Sequence, residues 1–140
     1  MVEPAVTAEA FLELVRTTMP EVAGSGLTIE IPTRGEVVAR LPSDDRRLRP
    51  GGTVSGPTLF MLVDLALYGV TLSIVGMQPL AVTTDISMHF LRKPPPAELV
   101  CKGRVLKAGR RLVIADALIY TAGSDEPVAH GVGTYSVPPR

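Results

Sequence analysis

The chain has 140 residues, 46% of them hydrophobic and 20% charged, which excludes a disordered chain and suits one domain with a packed core. Lysine plus arginine balances aspartate plus glutamate at 14 each, which argues against a general nucleic-acid binder, whose balance runs basic. A single cysteine, Cys101, cannot build an intrachain disulfide, and no Cys/His spacing suggests a zinc site.

The stretch MVEPAVTAEAFLELV carries Glu3 and Glu9 with no basic segment ahead of an apolar run. It does not read as a signal peptide, so a reducing, cytoplasmic setting is expected. Residues 7–19 read as a short amphipathic helix: Thr7 can cap it, Phe11, Leu12, Val15 and Met19 fall on one face, and Pro20 stops it. Residues 27–31 and 36–41 are two short strands around a turn at Thr33, Arg34 and Gly35. A loop with two prolines, a Gly-Gly pair and three arginines fills 42–55.

Gly56 and Pro57 then mark the start of a helix that runs to Val75, with Gly76 and Pro79 marking its end. At 1.5 Å per residue it is roughly 28 Å long. It is apolar nearly all round, the pattern of a buried core helix or a membrane span. Asp64 in its middle, flanks without lysine anchors or an aromatic belt, and the strands that follow favour the buried core.

From Leu80 the pattern changes to period two. In 82–90, Val82, Thr84, Ile86, Met88 and Phe90 alternate with Thr83, Asp85, Ser87 and His89, the pattern of a half-buried strand. Pro94, Pro95 and Pro96 break it, and strands follow at 98–107, 111–121 and 127–137. In the last, Ala129, Gly131 and Gly133 share a face and would let helix and strand approach closely. Helix, two strands, loop, long helix and four strands predict one α+β domain over 1–140, an antiparallel sheet curled around one apolar helix.

Two residues carry chemistry. The Gly56 N–H lies at the positive end of a long helix, the wiring of an oxyanion hole. Asp64 is the sole side chain charged at neutral pH between Pro57 and Gly76, and a carboxylate on such a helix needs a partner or a task. On these residues alone a structural hydrogen-bonding Asp and an ordinary helix boundary stay open.

The stretch SGPTLFMLVDLA resembles the segment that opens the central helix of hotdog-fold acyl-CoA thioesterases of the phenylacetate-pathway type. AVTTDISMHFLRKP resembles that family's third strand, and GRRLVIADALIYTAGSDEPVAHGVGTY its closing strand pair. The likeness runs from Gly51 to Val137. It implies a hotdog fold, a homodimer that can pair into a tetramer, and a thioester hydrolase that needs no cofactor, coenzyme A being part of the substrate. It places the carbonyl-polarising N–H on Gly56, the general base or nucleophile on Asp64, and a hydroxyl that helps hold the attacking water on Thr83. The family's histidine before the glycine is Ser55 here and its second glycine is Pro57. An asparagine common in the preceding loop aligns near Arg49, and the chain contains no asparagine. These departures also suit an acyl-CoA binding protein without turnover.

Eight residues of helix separate Gly56 from Asp64, about 12 Å along the axis. One carbonyl cannot touch both within a subunit, so joint action requires Gly56 of one subunit to face Asp64 of another across a two-fold axis. Phe60 and Tyr68 stand one turn either side of Asp64 and share its face as candidate acyl-pocket residues, or as ordinary core. Arg46, Arg47, Arg49, Lys93, Lys107 and Arg110 read as solvated charge, while Arg92 and Arg111 are the candidates for coenzyme A phosphates. Ser55 and Pro57 flank Gly56 and are expected to touch substrate. His89 and His130 have no Ser or Cys partner at a recognisable spacing, and no Asp-His pair of the hydratase kind is legible. No phosphate-binding glycine loop and no G-x-S-x-G elbow occurs.

Overall fold

Thr7 starts the first helix, α1 (Ala8–Thr18), by accepting the Ala10 N–H on its hydroxyl at 3.1 Å. Phe11 and Val15 are the buried residues of its inner face. The computed structural model describes residues 2–139. Strands β1 (Thr28–Thr33) and β2 (Glu36–Leu41) pair as a hairpin, turned at Gly35, whose φ of +89° suits a residue without a Cβ. The Gly35 N–H donates to Ser73 Oγ at 2.9 Å and ties the turn to the long helix.

A short 3-10 turn at Asp45–Arg47 and a bridge between Leu48 and Val54 give the arginine-rich loop a fixed shape. The long helix, α2 (Gly56–Val75), follows, then β3 (Val82–Phe90), β4 (Leu99–Ala108), β5 (Leu112–Thr121) and β6 (Ala129–Ser136). All neighbours in the six-stranded sheet are antiparallel, in the order β1-β2-β4-β5-β6-β3. β1 and β3 are therefore its edges. This is the α+β hotdog arrangement, with α2 packed against β2, β4, β5, β6 and β3.

Large core side chains come from both layers, Leu41, Leu99 and Ile119 of the sheet among them. The helix supplies bulk through buried Leu59, Leu62, Leu65, Leu67 and Leu72, and the sheet adds Ala39, Ala115, Ala117, Ala129 and glycines. A Cβ on Gly131 would lie 2.6 Å from the Val63 side chain, and one on Gly133 would lie 2.5 Å from the Asp85 carbonyl oxygen. The small-residue face of the last strand does let helix and sheet approach. Gly133→Ala is expected to destabilise the fold by about 1–3 kcal/mol, because a backbone oxygen cannot swing aside. Its urea midpoint should fall with an unchanged m-value.

The α2 helix is long and apolar enough to span a bilayer, but most of it is buried inside the fold. The sequence reading of β3 needs one correction. Its strict alternation fails because the register with β6 shifts between Thr83 and Asp85, leaving Thr84 as an extra residue. The bulge turns Thr83 onto the inner face with Ile86 and Met88, while Val82 and Phe90 stay exposed.

Candidate active site

The start of α2 isolates one hydrogen-bond donor. Ser55 caps the helix: its hydroxyl accepts the Thr58 N–H at 3.4 Å and its carbonyl accepts the Leu59 N–H at 3.2 Å. Pro57 has no N–H to offer. Of the first four helical positions, Gly56 alone retains an N–H without an acceptor among the described residues. Glycine also relieves the clash that a Cβ would meet ahead of a proline in helical conformation. The Ser55 N–H donates to the Arg47 carbonyl at 2.9 Å and the Val54 N–H to the Pro94 carbonyl at 3.0 Å, so the loop holds this helix end in place. Ser55 and Pro57 thus act on Gly56: one consumes a neighbouring N–H, the other removes one.

Asp64, eight residues along the same unbroken helix, is half-buried at the wall of a cavity of about 310 Å³. Tyr68, Thr83, Tyr135 and apolar Met19, Leu65 and Val82 share that cavity. Thr83 Oγ1 donates to Asp64 Oδ1 at 2.7 Å. The Tyr135 hydroxyl donates to the same oxygen at 2.7 Å and lies 3.2 Å from the Asp64 carbonyl oxygen. Asp64 Oδ2 accepts nothing from the described residues, and it is not sealed from solvent.

An aromatic column supports this group. The Tyr135 and Tyr68 rings stack with centroids 5.6 Å apart, and Phe11 meets Tyr68 edge-on at 5.6 Å. The Tyr68 hydroxyl donates to the Pro79 carbonyl at 2.8 Å. Burial pushes the Tyr68 phenol up, and burial together with the adjacent Asp64 charge and hydrogen bond pushes Tyr135 far up. Both remain protonated donors at neutral pH.

Asp64, Tyr68 and Thr83 therefore come together as the sequence suggested, whereas Phe60 is 41% exposed and outside the cavity. Arg92 is engaged elsewhere, with Glu126 at 3.0 Å and the Pro127 carbonyl at 2.6 Å. Arg111 is exposed at the β4–β5 turn beside Arg110, and neither Arg92 nor Arg111 lines the Asp64 cavity. Hydrogen bonds from Arg46 hold the Asp44 carboxyl down at about 2. Cys101 is buried, as expected of a small apolar side chain. Among the described residues no three His, Cys, Asp or Glu side chains cluster closely enough to hold a metal ion.

No Asp-His pair of the hydratase kind is legible in the sequence, yet the fold does bring one aspartate and one histidine together. His130 Nε2 lies 3.0 Å from Asp116 Oδ2, and the guanidinium of Arg104 donates to Asp116 Oδ1 at 3.0 Å. The pair is invisible in sequence because β5 and β6 bring together residues 14 apart. It lies on the opposite face of β6 from Gly131 and Gly133, and neither member lines the Asp64 cavity. Tyr135 is the site residue that sequence reasoning missed. The signal was present: it continues the inward face of Ala129, Gly131 and Gly133 at period two.

A family model described as the thioesterase superfamily matches residues 51–128. The chain is similar to a candidate thioesterase from Silicibacter sp. TM1040, at 38% identity over 99% of this chain and 96% of that one, with a TM-score of 0.87. A conserved protein of Pseudomonas aeruginosa is 28% identical over 90% of this chain and 98% of that one, with a TM-score of 0.79. The PaaI protein of the Escherichia coli phenylacetic acid degradation operon shares the fold at 19% identity, over 94% of each chain, with a TM-score of 0.79. No curated protein matches the chain significantly.

Proposed function

The chain belongs to the thioesterase superfamily, and on that premise we propose that it hydrolyses an acyl- or aryl-CoA thioester at a site shared by two subunits of a homodimer. The observation that carries this reading is the pairing of one free N–H, on Gly56, with one free carboxylate oxygen, on Asp64. Asp64 Oδ2 takes a proton from water as the water oxygen attacks the thioester carbonyl carbon. The Gly56 N–H and the helix dipole stabilise the oxyanion that forms. Collapse breaks the C–S bond, and the departing thiolate takes the proton back from Asp64, leaving free acid and coenzyme A. Thr83 keeps lone pairs on its hydroxyl to hold the attacking water. No metal or separate cofactor enters the scheme, and the cytoplasm is its proposed setting.

The shared site follows from length. About 12 Å of continuous helix separates the two groups, against a hydrogen-bond reach of about 3 Å. An edge strand, β3, offers unpaired backbone groups beside exposed Leu80, Val82 and Phe90, which supports edge-to-edge pairing with a second copy. Pro57, Phe60, Asp64 and Tyr68 lie at helical spacing along the least buried stripe of α2, which supports Phe60 as a substrate contact in this reading. Arg92 and Arg111 remain the proposed phosphate contacts, Arg92 at the cost of its Glu126 pairing.

Mixing two inactive variants tests the shared site. Gly56→Pro removes the donor and Asp64→Ala the base. Random reassociation should restore about a quarter of wild-type thiol release, since half the dimers are mixed and each regains one of two sites. No recovery in a mixture shown to contain heterodimers would place both groups in one subunit and overturn the scheme. A second reading, an acyl-CoA binding protein without turnover, draws on Ser55 and Pro57, which leave a single donor at the helix start. Tight binding of acyl-CoA with no thiol released from short, long or aryl substrates would establish it.

A further inference from the structure

We propose that Tyr135 is a positioning residue that, with Thr83, fixes Asp64 Oδ1 so that Oδ2 is the oxygen that performs the chemistry. The inference rests on the hydrolase reading above and adds a residue to it. Two hydroxyls, from adjacent edge-side strands, converge on one carboxylate oxygen at 2.7 Å each. A carboxylate pinned at one oxygen by two donors cannot rotate about its terminal bond without losing both. The other oxygen is then held toward the cavity with its lone pairs free.

The sheet is built to deliver this arrangement. Thr83 and Tyr135 are directly paired across β3 and β6, and the bulge at Thr84 is what turns Thr83 inward beside its partner. Thr84 Oγ1 donates to the Thr134 carbonyl at 3.1 Å, which secures the bulge. Tyr135 is in turn fixed by its stack on Tyr68. Its phenol stays protonated because burial and the neighbouring carboxylate both oppose ionisation, so it donates throughout the working pH range.

The test is thiol release by Tyr135→Phe, which keeps the ring and the stack and removes only the hydroxyl. We expect kcat to fall about 10- to 100-fold, the effect of losing a hydrogen bond to a charged group. KM should stay within about twofold, because the hydroxyl acts on Asp64 and not on substrate. In an Asp64→Ala background the same change should cost nothing further, since the group it orients is gone. Thr83→Val should give a kcat loss of the same kind. Wild-type kcat, an effect confined to KM, or a loss that adds in full to that of Asp64→Ala would overturn the assignment. So would failure of Tyr135→Phe to fold, which would make the hydroxyl structural. If Asp64→Ala itself keeps full turnover, the hydrolase reading fails instead, and the two failures are told apart.

Discussion

Asp64→Ala is expected to reduce thiol release from a cleavable acyl-CoA by roughly 100- to 10,000-fold, the range for losing a positioned general base. The protein should remain folded. Asp64 is half-buried at a cavity wall, and its removal leaves the Thr83 and Tyr135 hydroxyls facing a space that water can fill. KM should change much less than kcat, because the carboxylate meets water and not the acyl chain. Asp64→Asn is the sharper variant. It retains the oxygen that accepts from Thr83 and Tyr135 but replaces Oδ2 by an NH2 group that cannot take a proton. Equal loss in both variants would locate the function in the free oxygen. Turnover near wild type in Asp64→Asn would show that no proton transfer runs through this residue, and the mechanism would fall.

The largest effect on stability is expected from Phe11→Ala. The ring is fully buried, and removing one of this size costs about 3–5 kcal/mol through lost transfer energy and the cavity left behind. A denaturant midpoint would read it directly. The change also reaches the site. Phe11 meets Tyr68 edge-on, Tyr68 stacks on Tyr135, and Tyr135 holds Asp64. Folded Phe11→Ala protein is therefore expected to lose part of its kcat as well, although the ring is outside the Asp64 cavity. Full kcat in the folded variant would show that Tyr68 keeps its place without Phe11, through its stack on Tyr135 and its bond to the Pro79 carbonyl.

The departures from the family pattern take on a physical sense at the helix start. Ser55 accepts the Thr58 N–H and Pro57 contributes none, so the helix terminus presents one donor rather than several. In the proposed hydrolysis the thioester carbonyl needs a donor where the negative charge develops, and the Gly56 N–H is the one this helix start leaves without an acceptor.

Much of this was legible in the chain itself. Thr7, Pro20, Gly56 and Gly76 punctuate the two helices through capping and φ preferences that act within a few residues. The period-two runs give the strands, and the small face of Ala129, Gly131 and Gly133 foretells the close approach of α2. Asp64 stood out as the one charge on an apolar helix. These are local properties: spacing, steric limits and the cost of an unpaired charge, all carried by neighbouring residues.

The tertiary structure alone decided what depends on register between distant segments. The bulge at Thr84 reverses which side chains face inward in the part of β3 ahead of it, while Ile86 and Met88 keep the face the alternation gives them, because one extra residue flips a two-residue period. That flip puts Thr83 beside Tyr135, 52 positions on in the chain, and both against Asp64. The Asp116–His130 pair arises in the same way, from β5 lying beside β6. Composition and periodicity fix which face a residue favours within its own element. Which residues of other elements it meets there is set by strand order and register, and those are properties of the whole sheet.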